Sequence, residues 1–447
     1  MRPQTSLTIV AVKVINFPFP TCPDTEQLQV AETRLQQLGC LETPARSLSL
    51  QQLQRLQYCS AVTPLGRAVT SFPLAPRFGK MLALAHQHSL LGLTLTLVSA
   101  LTVQEVLVEA GLGQDQAAED RKVPGAVRQL RRDWAGSGHC LQLGDPMVLI
   151  QAFLAAERAS FDPQTCSQLG LRHKAVQEIR RLRRQLAGAV REVVPGPDTD
   201  TLGAPDQAQA RLLQQLLLAG SPHLVARRIP EEEEREDKER RGGYRTGAME
   251  QLVFLHSSSV LARERPEWVV AQELVEVRGR VLLRGVTAIC PTWLPSFCPG
   301  QVVLGEPSQE PGPRYCATQG TVMATYRGTF GQLGWQLPPT ELEMEQSLDK
   351  YKWFGRLLLE GSVAPGLAQY ASSLLSNPLV MVKSWSSLQK RTELLVRELA
   401  LEQCDTRARL GQVWATRPQY LLSSYLAWLP EVIHSDVTKT WPPSLPS

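Results

Sequence analysis

Residues 62–85, VTPLGRAVTSFPLAPRFGKMLALA, constrain the fold more than any other stretch, because they combine two helical segments with a rigid corner. Thr63 suits a helix N-cap and Pro64 the first helical position. The residue before a proline avoids the α region, so Pro73 and Pro76 predict an extended exit from this first helix. Helical spacing of apolar residues resumes at Met81. The pattern alone predicts a packed helical corner.

Positive charge is concentrated in one part of the chain. The protein has 447 residues and a net charge of +4, but residues 121–191 contain thirteen Lys/Arg and five Asp/Glu. A local excess of +8 in residues 121–191 indicates a polyanionic partner more strongly than the total charge does. The length predicts two to four domains.

A long basic helix is expected over residues 171–193. At 100° per residue, Ile179, Leu182 and Leu186 point inward and the basic side chains occupy the other face. The expected phosphate contacts of this segment are Arg172, Lys174, Arg180, Arg181, Arg183 and Arg184. Arg131 and Arg132 would extend the track. The alternative is a solvated helix whose arginine stems cover a core.

A β-rich segment begins after Gly243, with strands expected near 252–255, 268–277, 280–289 and 321–326 and a long loop over 298–320. Arg278-Gly279-Arg280 is expected to form a hairpin turn. Arg278, Arg280 and Arg284 are further candidates for contacts with a single strand. The alternative is that these arginines are merely solvated. Earlier in the chain, Gly144-Asp145-Pro146 predicts a helix start with Asp145 as N-cap and Pro146 at the first position.

Catalytic and metal-binding motifs are missing. Gly79-Lys80 is followed by Met81, so this is not a phosphate-binding P-loop, and an Asp-Glu-Ala-His element does not occur. The nine cysteines contain no C-x-x-C pair, and a zinc site is not expected. We expect no catalytic residues, no bound metal or cofactor and no ATPase activity from the isolated polypeptide.

The motifs resemble those of the DEAH-box RNA helicases. Residues 62–85 resemble the junction between the winged helix and the ratchet domain of that family. GLRHKAVQEIRRLRRQL at 170–186 resembles its ratchet helix, and VFLHSSSVL at 253–261 resembles a motif of its OB-like domain. The segment YKWFGRLLLEG at 351–361 and the end of the chain resemble the nucleolar, ribosome-biogenesis members of the group. Ser257 stands where the family usually has proline.

The resemblance implies a mainly α fold with a small β-barrel. Its expected parts are an unmatched tail (1–12), a winged helix (13–75), a ratchet helical bundle (76–220), an OB-like barrel with insertions (221–345) and a helical extension (346–447). It also implies single-stranded or pre-ribosomal RNA as ligand, RecA-like motor domains and a protein activator as partners, and a nucleolar location. ATP and magnesium would belong to the motor domains, and no membrane association is expected.

Two other functions remain open from the residues. One is a protein-interaction scaffold that does not bind RNA. The other is a sequence-specific winged-helix DNA binder, which is disfavoured because the segment 63–72 carries only Arg67 as a base-reading group.

Overall fold

The computed structural model describes residues 20–21, 23–42, 61–103, 105–108, 125–193, 203–237, 240–247 and 249–446. The expected tail at 1–12 lies outside these residues. The chain divides into two compact units, residues 1–303 with 329–335, and residues 304–328 with 336–447. The predicted limits of the four domains stay predictions.

The first unit begins with two short helices, α1 (Thr25–Gln37) and α2 (Pro64–Thr70), and a bridge between Leu41 and Val62. The Thr63 hydroxyl accepts a hydrogen bond from the Gly66 amide at 3.0 Å, so the predicted cap is confirmed. A Cβ at Gly66 would lie 2.2 Å from the Cys40 carbonyl oxygen, and only glycine permits this close approach.

A helical bundle follows the corner. Its members are α3 (Pro76–Gln87), α4 (Leu91–Thr102), α5 (Gly125–Ala135), α6 (His139–Leu143), α7 (Asp145–Arg158), α8 (Pro163–Gln168), α9 (His173–Val193) and α10 (Gln207–Gly220). Ser89, with φ of 55°, separates α3 from α4 within the apolar run 76–108. Residues of α4, α7 and α9, among them Ala100, Phe153 and Ile179, share one buried core. The apolar faces of these three helices therefore pack together in the interior of the bundle.

A seven-stranded sheet completes the first unit. Its strands are β1 (Val225–Arg228), β2 (Gly243–Thr246), β3 (Met249–Leu255), β4 (Trp268–Val270), β5 (Glu273–Val277), β6 (Arg280–Arg284) and β7 (Thr287–Ala288), with short helices α11 (Glu231–Glu236) and α12 (Leu294–Phe297) outside it. The order is β5-β6-β3-β2-β1-β4-β7, and β3 and β6 run parallel. Arg278 and Gly279 have φ of 51° and 75°, so the predicted hairpin turn is confirmed.

The sheet does not close into the expected barrel. Among the described strands, no backbone ladder joins the edge strands β5 and β7. The runs 268–277 and 280–289, predicted to be β-rich, each contain two strands, since β4 ends at Val270 and β6 ends at Arg284. The Gln272 amide nitrogen donates to the Arg284 carbonyl at 3.0 Å at this break.

The second unit contains most of a five-stranded sheet centred on β10 (Thr321–Phe330). The other strands are β8 (Val302–Pro307), β9 (Arg314–Cys316), β11 (Trp335–Gln336) and β12 (Thr340–Glu343). The prediction of a continuous loop over 298–320 is wrong, because β8 and β9 pair with β10 despite the surrounding Pro and Gly residues.

Helices fill the rest of the second unit. They are α13 (Leu348–Leu359), α14 (Lys390–Leu401), α15 (Arg407–Thr416), α16 (Leu422–Leu426) and α17 (His434–Thr440), with 3₁₀ turns between them. Phe354, Tyr425 and Trp428 lie in their core. The predicted fold class, mainly helical with a small β part, is confirmed. Within the described residues, no helix has both the length and the hydropathy that crossing a bilayer requires.

Candidate nucleic-acid interface

The helix α9 is amphipathic in three dimensions as well as in sequence. Val176, Ile179, Leu186 and Val190 are buried, and Leu182 packs against the same core at partial exposure. The predicted inward face is therefore confirmed. Because the apolar stripe is occupied by α4 and α7, the basic side chains are displaced to the remaining face.

Three cations of this face are open to solvent. Lys174, Arg181 and Arg184 are exposed. Within the part of the chain that the structure describes, no hydrogen bond or ion pair engages them. Such side chains can turn toward a phosphate without breaking an existing contact.

Two more arginines of α9 are held by the protein. The Arg180 guanidinium carbon lies 4.6 Å from the centre of the Phe161 ring, and Arg183 Nε donates to Thr96 Oγ1 at 3.0 Å. Together with Arg184 and Glu157 they line a cavity of about 230 Å³. The turn after α7 forms its edge, where Ser160 and Phe161 have φ of 51° and 59°. The cavity combines three cations with one carboxylate, so it favours a small anionic group.

Arg172 and Arg132 flank this face differently. Arg172 forms an exposed ion pair with Glu105. Arg132 is exposed on α5. A surface pair of this kind contributes little stability, so a phosphate can compete with Glu105 for Arg172.

Arg131 does not extend the basic track as predicted, because its side chain is buried. Its side chain is 5% exposed, and Nη2 donates to the Val108 carbonyl at 2.7 Å. This buried guanidinium is engaged by a backbone carbonyl instead of facing solvent. Arg131 is therefore not available to a ligand on the face of α9.

The arginines of the β5–β6 hairpin lie on a separate element. Arg278 and Arg280 are exposed, and the Arg280 guanidinium carbon lies 5.5 Å from the centre of the Phe254 ring. Arg284 is partly buried and lies 3.4 Å from a Glu273 oxygen. Only the first two are open to a ligand at the hairpin tip, since Arg284 is compensated by an acid.

A second cavity, of about 260 Å³, contains more compensated charges. Its lining includes Arg77, Arg131 and Arg284, together with Glu105, Asp145 and Glu273. Arg77 donates from Nη1 to the Gln272 carbonyl at 2.8 Å. With three cations and three acids, this cavity lacks the net charge of the face on α9.

Asp145 has a role that the sequence reading missed. It is the first residue of α7, and Gly144, with φ of 72°, takes the N-cap position, so the prediction of Asp145 as N-cap is wrong. Its Oδ1 accepts from Ser259 Oγ at 2.9 Å and from the Val260 amide at 3.0 Å, and its Oδ2 accepts from the Val286 amide at 2.9 Å. Burial raises the pKa of this carboxyl, although the three hydrogen bonds and nearby His256 act in the opposite direction. Asp145 thus ties α7 to loops of the seven-stranded sheet.

Comparison with known proteins accounts for most of this architecture. The profile "Helicase associated domain (HA2), ratchet-like" matches residues 75–149. "Oligonucleotide/oligosaccharide-binding (OB)-fold" matches 213–301, and "DEAH helicase DHX37 C-terminal domain" matches 366–445. An OB fold is thereby supported although the ladder is open.

Relatives match over almost the whole chain. "Probable ATP-dependent RNA helicase DHX37" of Homo sapiens is 42% identical over 438 residues, covering 97% of this chain and 38% of the relative. "Probable ATP-dependent RNA helicase kurz" of Drosophila melanogaster is 41% identical over 447 residues, covering 96% of this chain and 36% of the relative. The chain corresponds to the C-terminal region of DEAH-box RNA helicases. It spans little more than a third of the length of these relatives.

Only some of the candidate residues of this DEAH-box C-terminal region lie within the matched profiles. Arg131 and Asp145 lie in the ratchet-like match, and the hairpin arginines lie in the OB match. The helix α9 falls between the two. The position of Asp145 between a glycine and a proline, within the ratchet-like match, was the sequence signal for a special role. Its hydrogen-bond partners lie more than 110 residues away and could not have been predicted from the sequence.

Proposed function

We propose that this chain is the RNA-binding cassette of a DEAH-box RNA helicase that acts in ribosome biogenesis. In this proposal the cassette holds single-stranded or pre-ribosomal RNA, docks on RecA-like motor domains that bind ATP and magnesium, and works in the nucleolus. A protein activator would be a further partner. Similarity to helicases and the basic face of α9 support the proposal.

The observation that carries the RNA-binding role is the open face of α9. Lys174, Arg181 and Arg184 present three cations along one helix that no described residue pairs with, and Arg180 stands beside them over Phe161. Contacts to phosphates bind any sequence and weaken as salt rises, because bound counterions are released. The guanidinium of Arg180, already stacked on one face, also offers a flat surface to an unpaired base.

The test is the salt dependence of RNA binding by the full chain. A variant with Lys174, Arg180, Arg181 and Arg184 changed to Ala is titrated with a labelled oligouridylate at several salt concentrations. Each lost phosphate contact lowers the slope of log affinity against log salt by about 0.7, so loss of all four lowers it by up to about 2.8.

The matched control removes four exposed cations from the second unit. Lys383, Lys390, Arg397 and Lys439 changed to Ala lower the net charge by the same amount. We expect this control to keep the wild-type slope. Equal slopes for wild type and the α9 variant, or equal losses in both variants, would refute the assignment.

A protein-interaction role is the second candidate, and exposed apolar side chains in the second unit favour it. Leu375, Leu379, Trp385 and Leu388 lie within a short stretch, and Leu388 is 85% exposed. If the wild-type chain binds no RNA at low salt, this role replaces the first. Measuring the phosphate released after ATP is added to the same samples tests the further expectation that the isolated chain does not hydrolyse it.

A further inference from the structure

A buried ammonium group in the first unit has no counter-ion among the residues that the structure describes. Lys80 lies on α3 and is only 6% exposed. Across the described ranges, no hydrogen bond or ion pair is made by its Nζ. Buried lysines are normally paired, because leaving water is costly for the charged form.

The groups that act most on this ammonium are two thiols. They belong to Cys298 and Cys40, and burial raises the pKa of both, to about 12 for Cys298. Both thiols are therefore neutral near pH 7 and do not balance the cation. Burial lowers the pKa of Lys80 itself, as expected for a cation without an acid beside it.

Lys80 lines a cavity of about 660 Å³ whose walls are largely apolar. Leu38, Leu65, Leu84 and Phe297 line it, together with Gln36 and Gln37 at the end of α1. Its volume is within the range of about 300–1,000 Å³ typical of ligand pockets. Glu42 also lines the cavity, but it is exposed, and in the described structure it forms no ion pair with Lys80.

We propose that this cavity binds a segment of a protein partner in which a carboxylate side chain stands beside a large apolar one. The carboxylate would pair with Lys80 Nζ, and the apolar side chain would pack on Leu65, Leu84 and Phe297. Gln36 and Gln37 offer donors and acceptors for an extended backbone. The charge complementarity and the apolar walls both select this ligand.

An RNA phosphate fits the cavity less well. A phosphodiester backbone is hydrophilic along its whole length, and protein surfaces that bind nucleic acids offer it several basic groups in a row. Among the described residues that line this cavity, Lys80 is the one cation, and the walls are largely apolar. The site does not depend on the RNA-binding function of α9, which lies on another helix of the bundle.

The experiment selects ligands without assuming a sequence. Phage-displayed random dodecapeptides are panned on the full chain and counter-selected on Lys80→Met. We expect enriched peptides to carry Asp or Glu next to Leu, Ile or Phe. A labelled synthetic peptide of the enriched sequence should bind Lys80→Met about tenfold or more weakly than it binds wild type. An analogue of this peptide with Asn or Gln in place of the acidic residue should bind wild type about tenfold or more weakly than the acidic peptide does.

Controls separate the ion pair from damage to the fold. Lys383→Met removes an exposed cation and should bind the peptide as wild type does. Phe297→Ala keeps the cation but should weaken the binding of the acidic peptide and of its amide analogue by the same factor. Removing an unpaired buried cation should leave the melting temperature of Lys80→Met at or above that of wild type.

Three results would overturn the proposal. They are the absence of any enriched peptide, enrichment without acidic residues, and equal affinity of the acidic peptide for wild type and Lys80→Met. If Lys80→Met instead weakens oligouridylate binding and no peptide, the cavity belongs to the RNA site. Failure of the α9 variant in the salt titration would leave the peptide result unaffected, so the two proposals are tested separately.

Discussion

Asp145 offers the sharpest test of how the first unit is held together. The change is Asp145→Asn, which keeps the size of the side chain and replaces one carboxylate oxygen by an NH₂ group. In the structure both oxygens accept hydrogen bonds, Oδ1 from Ser259 and Val260 and Oδ2 from Val286. An asparagine cannot reproduce this pattern in either orientation.

The magnitude follows from counting donors. With the NH₂ group placed toward Val286, one buried backbone amide faces another donor, which costs about 1–3 kcal/mol. With the opposite orientation the Val260 amide and the Ser259 hydroxyl both lose their acceptor. The remaining bonds also lose their charge-assisted character. We expect a loss of about 2–4 kcal/mol in the free energy of unfolding.

Asp162→Asn is the matched control. Asp162 caps α8, and a single oxygen, Oδ2, accepts from both the amide and the hydroxyl of Thr165 at 2.7 Å. An asparagine oxygen can take that position, and Asn and Asp are about equally good N-caps. We therefore expect this substitution to leave the unfolding midpoint close to that of wild type.

The assay is urea unfolding followed by far-ultraviolet circular dichroism, with hydrogen exchange of the backbone amides. Asp145→Asn should lower the unfolding midpoint and speed exchange at Val260 and Val286. Equal midpoints for the two variants, with unchanged exchange at these amides, would refute the role of Asp145 in tying α7 to the sheet.

Two further predictions concern other charged groups. Burial, with Arg34 and Arg77 nearby, lowers the pKa of His223 from 6.5 to about 4. As the pH drops, the His223 imidazole is therefore protonated in the unfolded chain before it is protonated in the folded one. The free energy of unfolding should fall as the pH drops from about 6.5 toward 4. The part of this loss due to His223 should vanish in His223→Gln, as measured by urea titrations at several pH values; identical pH profiles would contradict it. Lys350→Met should destabilise the second unit by about 2 kcal/mol, because the buried ammonium pairs with Glu343 at 2.7 Å and Asp405 at 3.2 Å. Lys352→Met, which removes only an i,i+3 pair with an exposed Asp, should cost less than about 1 kcal/mol in thermal unfolding; equal costs would count against the buried pair.

Local patterns were enough to predict the elements that carry the candidate interface. The cap at Thr63, the inward face of α9 and the turn at Arg278-Gly279 each depend on residues within a few positions of one another. Side-chain periodicity and turn chemistry act over that range, so the sequence alone sufficed. The same patterns carried the family resemblance, which the matched profiles confirm.

The features that the sequence did not predict depend on contacts between residues far apart in the chain. Arg131 and Arg132 are adjacent in sequence, yet Arg131 is buried and donates to the Val108 carbonyl while Arg132 is exposed, because helical geometry turns neighbouring side chains by about 100°. The strands β8 and β9 exist because β10 offers them a backbone ladder. Their own composition predicted a loop.

The sequence by itself therefore determined which helix is basic and amphipathic, and which family the chain resembles. The tertiary structure decided which of its charges are free, paired or buried. Lys174 and Arg184 are open, Asp145 is satisfied by donors more than 110 residues away, and Lys80 is buried without a counter-ion among the described residues. The reason is that the cost of a charge depends on its desolvation and its partners, and both are set by chain segments that meet only on folding.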